Sequence, residues 1–322
     1  MNTIIFIMKD FPWIFIIEVP ETAFFYKLVF LRNKCNVVSA RYPYHPLIFN
    51  KFKQYFSKIK PFKLEDFKEF ENLLTKVEPD LIFVFDYVRL NFNFSKYSYP
   101  KIYYAMDSHT RLDKHLKFVN FNEFDYILVA QKDYLNYYKD FGAKVFWLPY
   151  ACDPLLHKGF NLPYKYDVCF IGYLPTYSLK QKLFDRAFYL KLKRGKIVKE
   201  IFNLFNAFIG NVWQFDMTRI YSQSRIILNK SLKGDLNMRV FEALASGNLL
   251  LTDKIKNGLF DLFKGKVHLV TYSSVKEAKE KINFYLEHEE ERRKIEIKGK
   301  SEVLKRHTYD ERVKQIRKMV GV

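Results

Sequence analysis

The sequence contains few cysteines: three in 322 residues, at Cys35, Cys152 and Cys169. None is spaced from another Cys or from a His as in a zinc-binding or redox motif. Unpaired thiols of this kind suit a reducing compartment, so we expect a cytoplasmic protein without a metal site. Cys169 lies in the apolar run VCFIG and is predicted to be a small core residue.

Long apolar runs and several enzyme motifs are also missing. No stretch of 18 apolar residues occurs, and residues 3–19 are interrupted by charges and by Pro12, so we predict neither a signal peptide nor a membrane span. GxSxG, Walker, HExxH, EF-hand and GxGxxG patterns are absent. Their absence disfavours serine hydrolases, P-loop nucleotidases, zincins, calcium sensors and NAD dehydrogenases.

Acidic residues are scarce relative to basic ones, 35 against 54, which gives a net charge of +19. Such a charge is compatible with nucleic acid, an anionic membrane surface or acidic substrates as partners. Residues 51–63 alternate Lys with aromatic residues, as in a basic helix at the inner membrane face. A solvated helix face is the alternative. Nucleic acid is not favoured, because no recognised binding motif is present.

Strand-like and helix-like patterns alternate along the chain, which predicts an α/β protein with mostly parallel sheets. Apolar residues make up 49% of the sequence, enough for a sizeable core. We predict strands at 3–8, 36–39, 81–85, 101–105, 126–130, 144–148, 166–171, 225–228, 249–252 and 267–271. We predict helices at 21–31, 64–76, 132–141, 196–208, 238–245, 275–288, 289–306 and 309–320.

Residues 149–164 contain three prolines and no clean periodicity, so we interpret them as a linker. The chain is long enough for two domains, and the strand–helix alternation resumes after this segment. The sequence therefore predicts two α/β domains with a cleft between them.

The most informative segment is 224–253, which predicts a buried strand, a Gly/Asp/Asn loop, a short helix, a turn at Gly247 and a second buried strand. Arg239 and Glu242 lie three residues apart in the helix. Free N–H groups at its N-terminus favour an anion, to which Arg239 would add charge, and Glu242 can accept hydrogen bonds from a sugar diol. The alternative is an exposed ion pair on a core helix.

A second candidate site follows the strand at 101–105, in the sequence AMDSHTR. Asp107 and His109 would lie at the carboxyl end of that strand, where they could act as a general base on an acceptor hydroxyl. Arg111 could bind a phosphate of the acceptor or donor. The alternative is that Asp107 and Ser108 cap the next helix.

Several runs of the sequence resemble the CgeB-like (spore-maturation) glycosyltransferases of the GT-B class. They are YDVCFIG, IYSQSRIILNKS, LNMRVFEALASGNLLLTD and HTYDERV, with further similarity in KIYYAMDSHTR, FDYILVAQKDYLNYY and WLPYACDP. The resemblance extends from about residue 79 to residue 312.

The resemblance implies two Rossmann-like domains facing a central cleft. Residues 1–158 would bind the acceptor and residues 159–308 the nucleotide sugar, with the helix at 309–322 returning to the first domain. It also implies transfer of a sugar from a nucleoside diphosphate, with a UDP-sugar as the expected donor, to a glycan, lipid-linked or protein acceptor without a metal or cofactor. A catalytically inactive sugar- or nucleotide-binding protein and a GT-B sugar-nucleotide epimerase are the alternatives.

The resemblance also assigns roles to residues. Glu242 would bind the donor ribose hydroxyls, Arg239 would neutralise the diphosphate, and backbone N–H groups around Asn237 and Met238 would approach it. The other donor-binding candidates are Gly172, Tyr173, Lys180, Lys182, Lys230 and Trp213, with Tyr173 and Trp213 placed to stack on the base.

Many retaining GT-B enzymes carry an acidic residue eight positions before the Glu. Here Gly234 occupies that position and Asp235 is the nearest substitute, so inversion and retention both stay open.

Overall fold

The structure is a computed structural model that describes residues 13–18, 36–39, 67–86, 93–172, 186–212 and 214–321. The chain divides into two compact units, one from Met1–Pro149 with Tyr309–Val322 and one from Tyr150–Thr308. Each unit contains its own parallel sheet.

The first unit is built on a six-stranded parallel sheet with the strand order β2-β1-β3-β4-β5-β6. Its strands are β1 Trp13–Glu18, β2 Asn36–Ser39, β3 Leu81–Phe85, β4 Lys101–Ala105, β5 Tyr126–Val129 and β6 Lys144–Trp147. Its helices are α1 Phe67–Val77, α2 Ser108–Asn122, a 3₁₀ segment at Lys132–Phe141 and the C-terminal α10 Tyr309–Val320. β3 and β4 are buried at every position, as expected for central strands covered on both faces.

The second unit is built on a five-stranded parallel sheet with the order β11-β10-β9-β7-β8. Its strands are β7 Tyr166–Ile171, β8 Ala207–Gly210, β9 Ser224–Asn229, β10 Leu249–Asp253 and β11 Val270–Tyr272. Its helices are α3 Pro154–His157, α4 Arg186–Phe202, α5 Gln214–Ser222, α6 Met238–Ser246, α7 Leu259–Leu262, α8 Val275–Glu287 and α9 Glu289–Arg306.

The predicted α/β fold class with parallel sheets is confirmed. The helix predicted at 196–208 is wrong in its second half, because the helix ends at Phe202 and Ala207–Gly210 form a strand. The backbone of that strand pairs with β7, and this tertiary pairing overrides the local helical pattern. The segment predicted as a helix at 132–141 is a 3₁₀ helix that ends at Gly142, whose φ of 72° is left-handed.

The segment interpreted as a linker is, from Tyr150 onward, part of the second unit. Ala151, Cys152 and Asp153 are fully buried, and the Asp153 carboxylate caps α3 by accepting from Leu155 N at 2.9 Å. Cys169 is likewise buried, as predicted, and burial raises the pKa of its thiol to about 12. The strand predicted at 3–8, the helix predicted at 21–31 and the basic segment 51–63 lie outside the described residues.

Within the described part of the chain, no helix combines the length and apolar character that crossing a bilayer requires.

Gly299 provides a test of the packing of α9. A Cβ built at this position would lie 2.2 Å from the carbonyl oxygen of His268 and 2.9 Å from a methyl carbon of Leu244. In a helix interior, Ala is about 1 kcal/mol more favourable than Gly. The substitution would therefore stabilise α9 if no neighbouring atom occupied the space of the new methyl group. Because the clash involves backbone, we expect Gly299→Ala instead to lower the free energy of unfolding by about 1–3 kcal/mol in urea titrations.

Gly265→Ala is the matched control, since its Cβ would meet only a ring carbon of Phe260 at an ordinary 3.7 Å. Equal stability of the two variants would contradict the close approach of α9 to His268.

Candidate donor-sugar site

The candidate site of the second unit lies where its strand order reverses. From β7 the chain reaches β8 on one side of the sheet and β9 on the other, so β7 and β9 form the topological switch point. Ligands of open α/β sheets bind outside the carboxyl ends of the strands at such a point. Here those ends are Gly172, which follows β7, and Asn229, the last residue of β9.

The Arg239 side chain lies across both strand ends. Its Nη1 donates to Asn229 Oδ1 at 3.0 Å, and its guanidinium carbon lies 5.1 Å from the ring centre of Phe170 in β7. A Cβ at Gly172 would lie only 2.7 Å from Arg239 Nη2, so the missing side chain of Gly172 makes room for the guanidinium. The sequence pattern predicts Arg239 as a site residue, whereas its contact with Gly172 depends on the packing.

A second guanidinium adds positive charge at this position. Arg194 of α4 is only 9% exposed, and its guanidinium carbon lies 5.6 Å from the Phe170 ring centre. Burial, together with the charge of Arg239, lowers the pKa of Arg194 to about 10. The sequence pattern does not identify Arg194, which lies in a Lys-rich segment where only its buried position distinguishes it from its neighbours.

The loop between β9 and α6 is fixed by Asp253 at the end of β10. The Asp253 carboxylate accepts from Lys230 Nζ at 2.7 Å, from Ser231 N at 2.8 Å and from Ser231 Oγ at 2.5 Å. The predicted donor-binding residue Lys230 therefore contacts a carboxylate of its own unit.

Asp235 also has a local role in this loop. Its Oδ1 accepts from Leu232 N at 2.6 Å and from Lys233 N at 3.0 Å, and the residue is 5% exposed. Gly234 beside it has a φ of 75°, a backbone conformation that favours glycine. The catalytic role predicted for Asp235 stays a prediction. In the structure, its carboxylate stabilises the loop by accepting from two backbone N–H groups.

Helix α6 begins at Asn237, whose backbone is extended and whose side chain makes no capping bond. Both polar atoms of this side chain are buried without a hydrogen-bond partner among the described residues. The first turn of the helix, which includes Met238, also contributes N–H groups that no helical carbonyl can accept. The start of α6 is thus rich in hydrogen-bond donors and in positive potential.

Glu242 lies one turn into α6 and is only 6% exposed, so it is not part of an exposed ion pair with Arg239. Its Oε1 lies 3.6 Å from Nε2 of His157, a fully buried residue of α3. His157 Nδ1 accepts from the backbone N of Asp153 at 2.8 Å, which leaves Nε2 to carry the ring hydrogen that faces the carboxylate. The sequence pattern does not connect His157 with Glu242, because they lie 85 positions apart and meet only through packing of α3 on α6.

The candidate acceptor residues lie in the first unit, after β4. Asp107 is the N-cap residue of α2; its carbonyl oxygen accepts from Thr110 and Arg111, but its carboxylate makes no capping bond. His109 is buried, and Arg111 interrupts the helix with a φ of −140°. The predicted roles of Asp107, His109 and Arg111 stay predictions.

Four predicted donor-binding residues lie outside the described residues: Tyr173, Lys180, Lys182 and Trp213. Among the residues that are described, no group of three His, Cys, Asp or Glu side chains could hold a metal ion.

The topology of the two sheets matches solved glycosyltransferase structures over nearly the whole chain. This is the GT-B fold. HepE of Anabaena, solved in complex with UDP-glucose, aligns with a TM-score of 0.66 at 13% identity, over 96% of this chain and 99% of HepE. Sucrose-phosphate synthase of Thermosynechococcus elongatus aligns with a TM-score of 0.61 at 10% identity, over 96% of this chain and 98% of the synthase.

A third similar structure is an α-glucosyltransferase in complex with UDP and DNA, with a TM-score of 0.66 at 12% identity over 97% and 100% of the two chains. Residues 193–318 match a family model described as "Glycosyl transferase-like". That segment includes Arg194, Arg239 and Glu242 of the GT-B chain. No curated protein matches the sequence.

Asp253 offers a test of how the loop before α6 is held. Removing its carboxylate in Asp253→Ala eliminates three hydrogen bonds and leaves Lys230 and Ser231 without that acceptor. We expect the free energy of unfolding to fall by about 1–3 kcal/mol and the amide hydrogen of Ser231 to exchange faster. Glu280→Ala, which removes an exposed pair with Lys276, is the control and should change stability by less than about 0.5 kcal/mol.

Proposed function

We propose that this protein transfers a sugar from a nucleoside diphosphate, with a UDP-sugar as the first choice of donor, to an acceptor hydroxyl. Two of the similar structures, HepE and the α-glucosyltransferase, support this proposal, since their names include UDP-glucose or UDP as the bound molecule. The family match of residues 193–318 points to the same reaction class. A cofactor is not part of the proposal, because the donor is a co-substrate.

The observation that carries the proposal is the position of Arg239 across the carboxyl ends of β7 and β9, next to the side-chain-free Gly172. Nη1 bonds to Asn229, and the guanidinium has further donors in its plane. A planar group with several N–H donors suits the oxygens of a diphosphate, which can accept two parallel hydrogen bonds. The nearby Arg194 and the N-terminus of α6 add to the positive potential.

The remaining residues fit the other parts of such a donor. We assign the ribose hydroxyls to Glu242, because a buried carboxylate can accept from two adjacent hydroxyls and His157 faces its Oε1. We assign a phosphate or sugar oxygen to the buried side-chain amide of Asn237. In the transfer step, the bond from the anomeric carbon to the diphosphate breaks while the acceptor oxygen bonds to that carbon, and the positive site stabilises the departing diphosphate.

Titration calorimetry with UDP and UDP-glucose tests the donor site. We expect Arg239→Ala to weaken binding by about 10–100-fold, because a charge-assisted hydrogen bond contributes about 1.5–3 kcal/mol. Glu242→Ala should weaken UDP binding by a similar factor if the carboxylate binds the ribose. Arg225→Ala, which removes a half-exposed guanidinium beside Asp167 in the same unit, should bind UDP as the wild type does.

Absence of UDP binding in the wild-type chain would contradict the proposed donor. UDP binding without any turnover of a UDP-sugar would instead favour a sugar-nucleotide-binding protein that has lost catalysis.

The Gly172→Ala variant keeps the Arg239 guanidinium but moves it, so it tests whether the position of this group matters for binding. The added methyl group would lie 2.7 Å from Nη2 of Arg239 and 3.1 Å from the ring of Phe170, and it would meet no backbone atom at short distance. Because both neighbours are side chains, we expect the free energy of unfolding to change by no more than about 1–2 kcal/mol. We nevertheless expect UDP affinity to fall by about 10-fold or more, because the guanidinium can no longer lie across the strand ends. Thermal unfolding and calorimetry on the same sample measure the two effects. Unchanged affinity in a folded variant would show that the position of Arg239 over Gly172 is irrelevant to binding.

A further inference from the structure

A surface turn of the second unit carries two exposed lysines. Residues 264–268 lie between α7 and β11; His268 N donates to Lys264 O at 2.9 Å, and Lys264 N donates to Nδ1 of His268 at 3.2 Å. Lys266 has a left-handed backbone with a φ of 60°, and its N donates to Leu269 O at 2.8 Å. These bonds close the turn, and they leave both lysines exposed at the surface.

Helix α9 adds two lysines beside this turn. A Cβ at Gly299 would lie 2.2 Å from His268 O, so α9 and the turn are in close contact. Lys298 precedes that glycine, and Lys305 lies seven residues further along α9, on the same helical face. Both are exposed. Within the described part of the chain, none of the four lysines forms an ion pair; they are Lys264, Lys266, Lys298 and Lys305.

These lysines lie in a region where positive charge is in excess. Partial burial lowers the pKa of His268, Glu302 raises it, and the charges of Lys264, Arg306 and Lys298 lower it further. Glu302 pairs with Arg306 at 3.5 Å. With Asp261 of α7 as a second carboxylate, two acidic residues here stand against five basic ones. Like charges repel unless an anion lies among them, so the region favours an anionic partner.

An exposed aromatic ring lies beside the turn. Phe260 of α7 is 46% exposed, whereas the preceding Leu259 is fully buried, so one side chain anchors the short helix and the next lies at the surface. A Cβ at Gly265 would lie 3.7 Å from a ring carbon of Phe260, which places the ring against the lysine turn. An aromatic ring among lysines is typical of segments that bind the headgroup region of an anionic bilayer.

The turn lies away from the candidate donor site. It leads into the amino end of β11, which pairs in parallel with β10. The strand pairings of this sheet are all parallel, and the donor site lies outside the carboxyl ends of β7 and β9. The turn and the donor site are therefore at opposite edges of the sheet, and a partner at the turn leaves Gly172 and Asn229 uncovered.

We propose that this basic surface, made of Phe260, Lys264, Lys266, Lys298 and Lys305, binds an anionic lipid membrane. The lysines attract the lipid phosphates, and the Phe260 ring enters the headgroup region, where its apolar area is removed from water. Duplex nucleic acid would use the lysines alone, because its bases are stacked on one another and offer the ring no apolar layer. The membrane contact goes beyond the proposed sugar transfer and does not depend on it.

Co-sedimentation of the full chain with vesicles tests the basic surface. We expect the wild type to bind phosphatidylcholine vesicles that contain phosphatidylglycerol, and to dissociate as the salt concentration rises. A lysine near an anionic surface contributes about fivefold in affinity, so Lys264→Ala combined with Lys266→Ala should weaken binding by about 10–30-fold. Lys298→Ala combined with Lys305→Ala should weaken it similarly. Lys193→Ala combined with Lys199→Ala removes the same charge from exposed positions on α4 and should stay within about twofold of the wild type.

Phe260→Ala distinguishes a bilayer from a polyanion in solution. Loss of the ring should weaken vesicle binding by about three- to tenfold, because less apolar area leaves water. Binding to duplex DNA should stay unchanged in this variant. Phe284→Ala, which removes a ring of 45% exposure from α8, is the matched control and should bind vesicles as the wild type does.

Several results would overturn the membrane contact. One is failure of the wild type to bind the anionic vesicles, and another is an equal loss in the α4 control. Wild-type vesicle binding by the turn variant or by Phe260→Ala would also contradict it, since segment 51–63 is intact in both. Loss of DNA binding alone in the turn variant would assign the lysines to nucleic acid instead.

Calorimetry with UDP separates this surface from the proposed function. Each folded variant of the basic surface should bind UDP as the wild type does, because the substitutions lie away from the donor site. Failure of the wild-type chain to bind UDP would contradict the proposed function and leave the membrane contact standing.

Discussion

The arrangement of the second unit depends on one contact, the Arg239 guanidinium lying across the ends of β7 and β9. Asn229 accepts from one edge of this group, Phe170 lies beneath it, and Gly172 leaves the space that a side chain would occupy. The rigid parallel sheet fixes both strand ends, so the guanidinium is held before any ligand arrives. In the proposed transfer, charge held in place in this way would stabilise the departing diphosphate without rearrangement during the reaction.

The Glu242 carboxylate differs from a surface carboxylate because it is buried and needs a hydrogen-bonding neighbour. Glu242 lies on a helix whose residues from Val240 to Ser246 are buried, and His157 of α3 faces its Oε1. An unpaired carboxylate in such a place would be costly, whereas a neutral imidazole offers a hydrogen without adding a charge. The first unit contains a similar pair, Asp86 and His115, beside the end of β3. In both units, a buried histidine therefore lies close to a buried carboxylate.

Much of the architecture is predictable, because buried parallel strands appear in the sequence as short apolar runs. The runs at Leu81–Phe85 and Leu249–Asp253 are examples, and the 3.6-residue period of α6 is equally plain. The strand Ala207–Gly210 was predicted as helix, since only pairing with β7 distinguishes it from a continuation of α4. Arg194 and His157 were missed as site neighbours for a similar reason: their burial beside Phe170 and Glu242 comes from contacts between elements distant in sequence.

The sequence by itself determined the class of fold and the segment around Arg239 and Glu242, because periodicity and turn residues are local properties of the chain. Only the tertiary structure decided which partners those residues have. It directed Arg239 toward Asn229 and Gly172 instead of Glu242, and it paired Lys230 with Asp253. It also placed Asp86 at the end of β3 against His115. The physical reason is that hydrogen bonds and burial depend on distances in space. Those distances are determined by the order of the strands in the sheet, and a local sequence pattern does not contain that order.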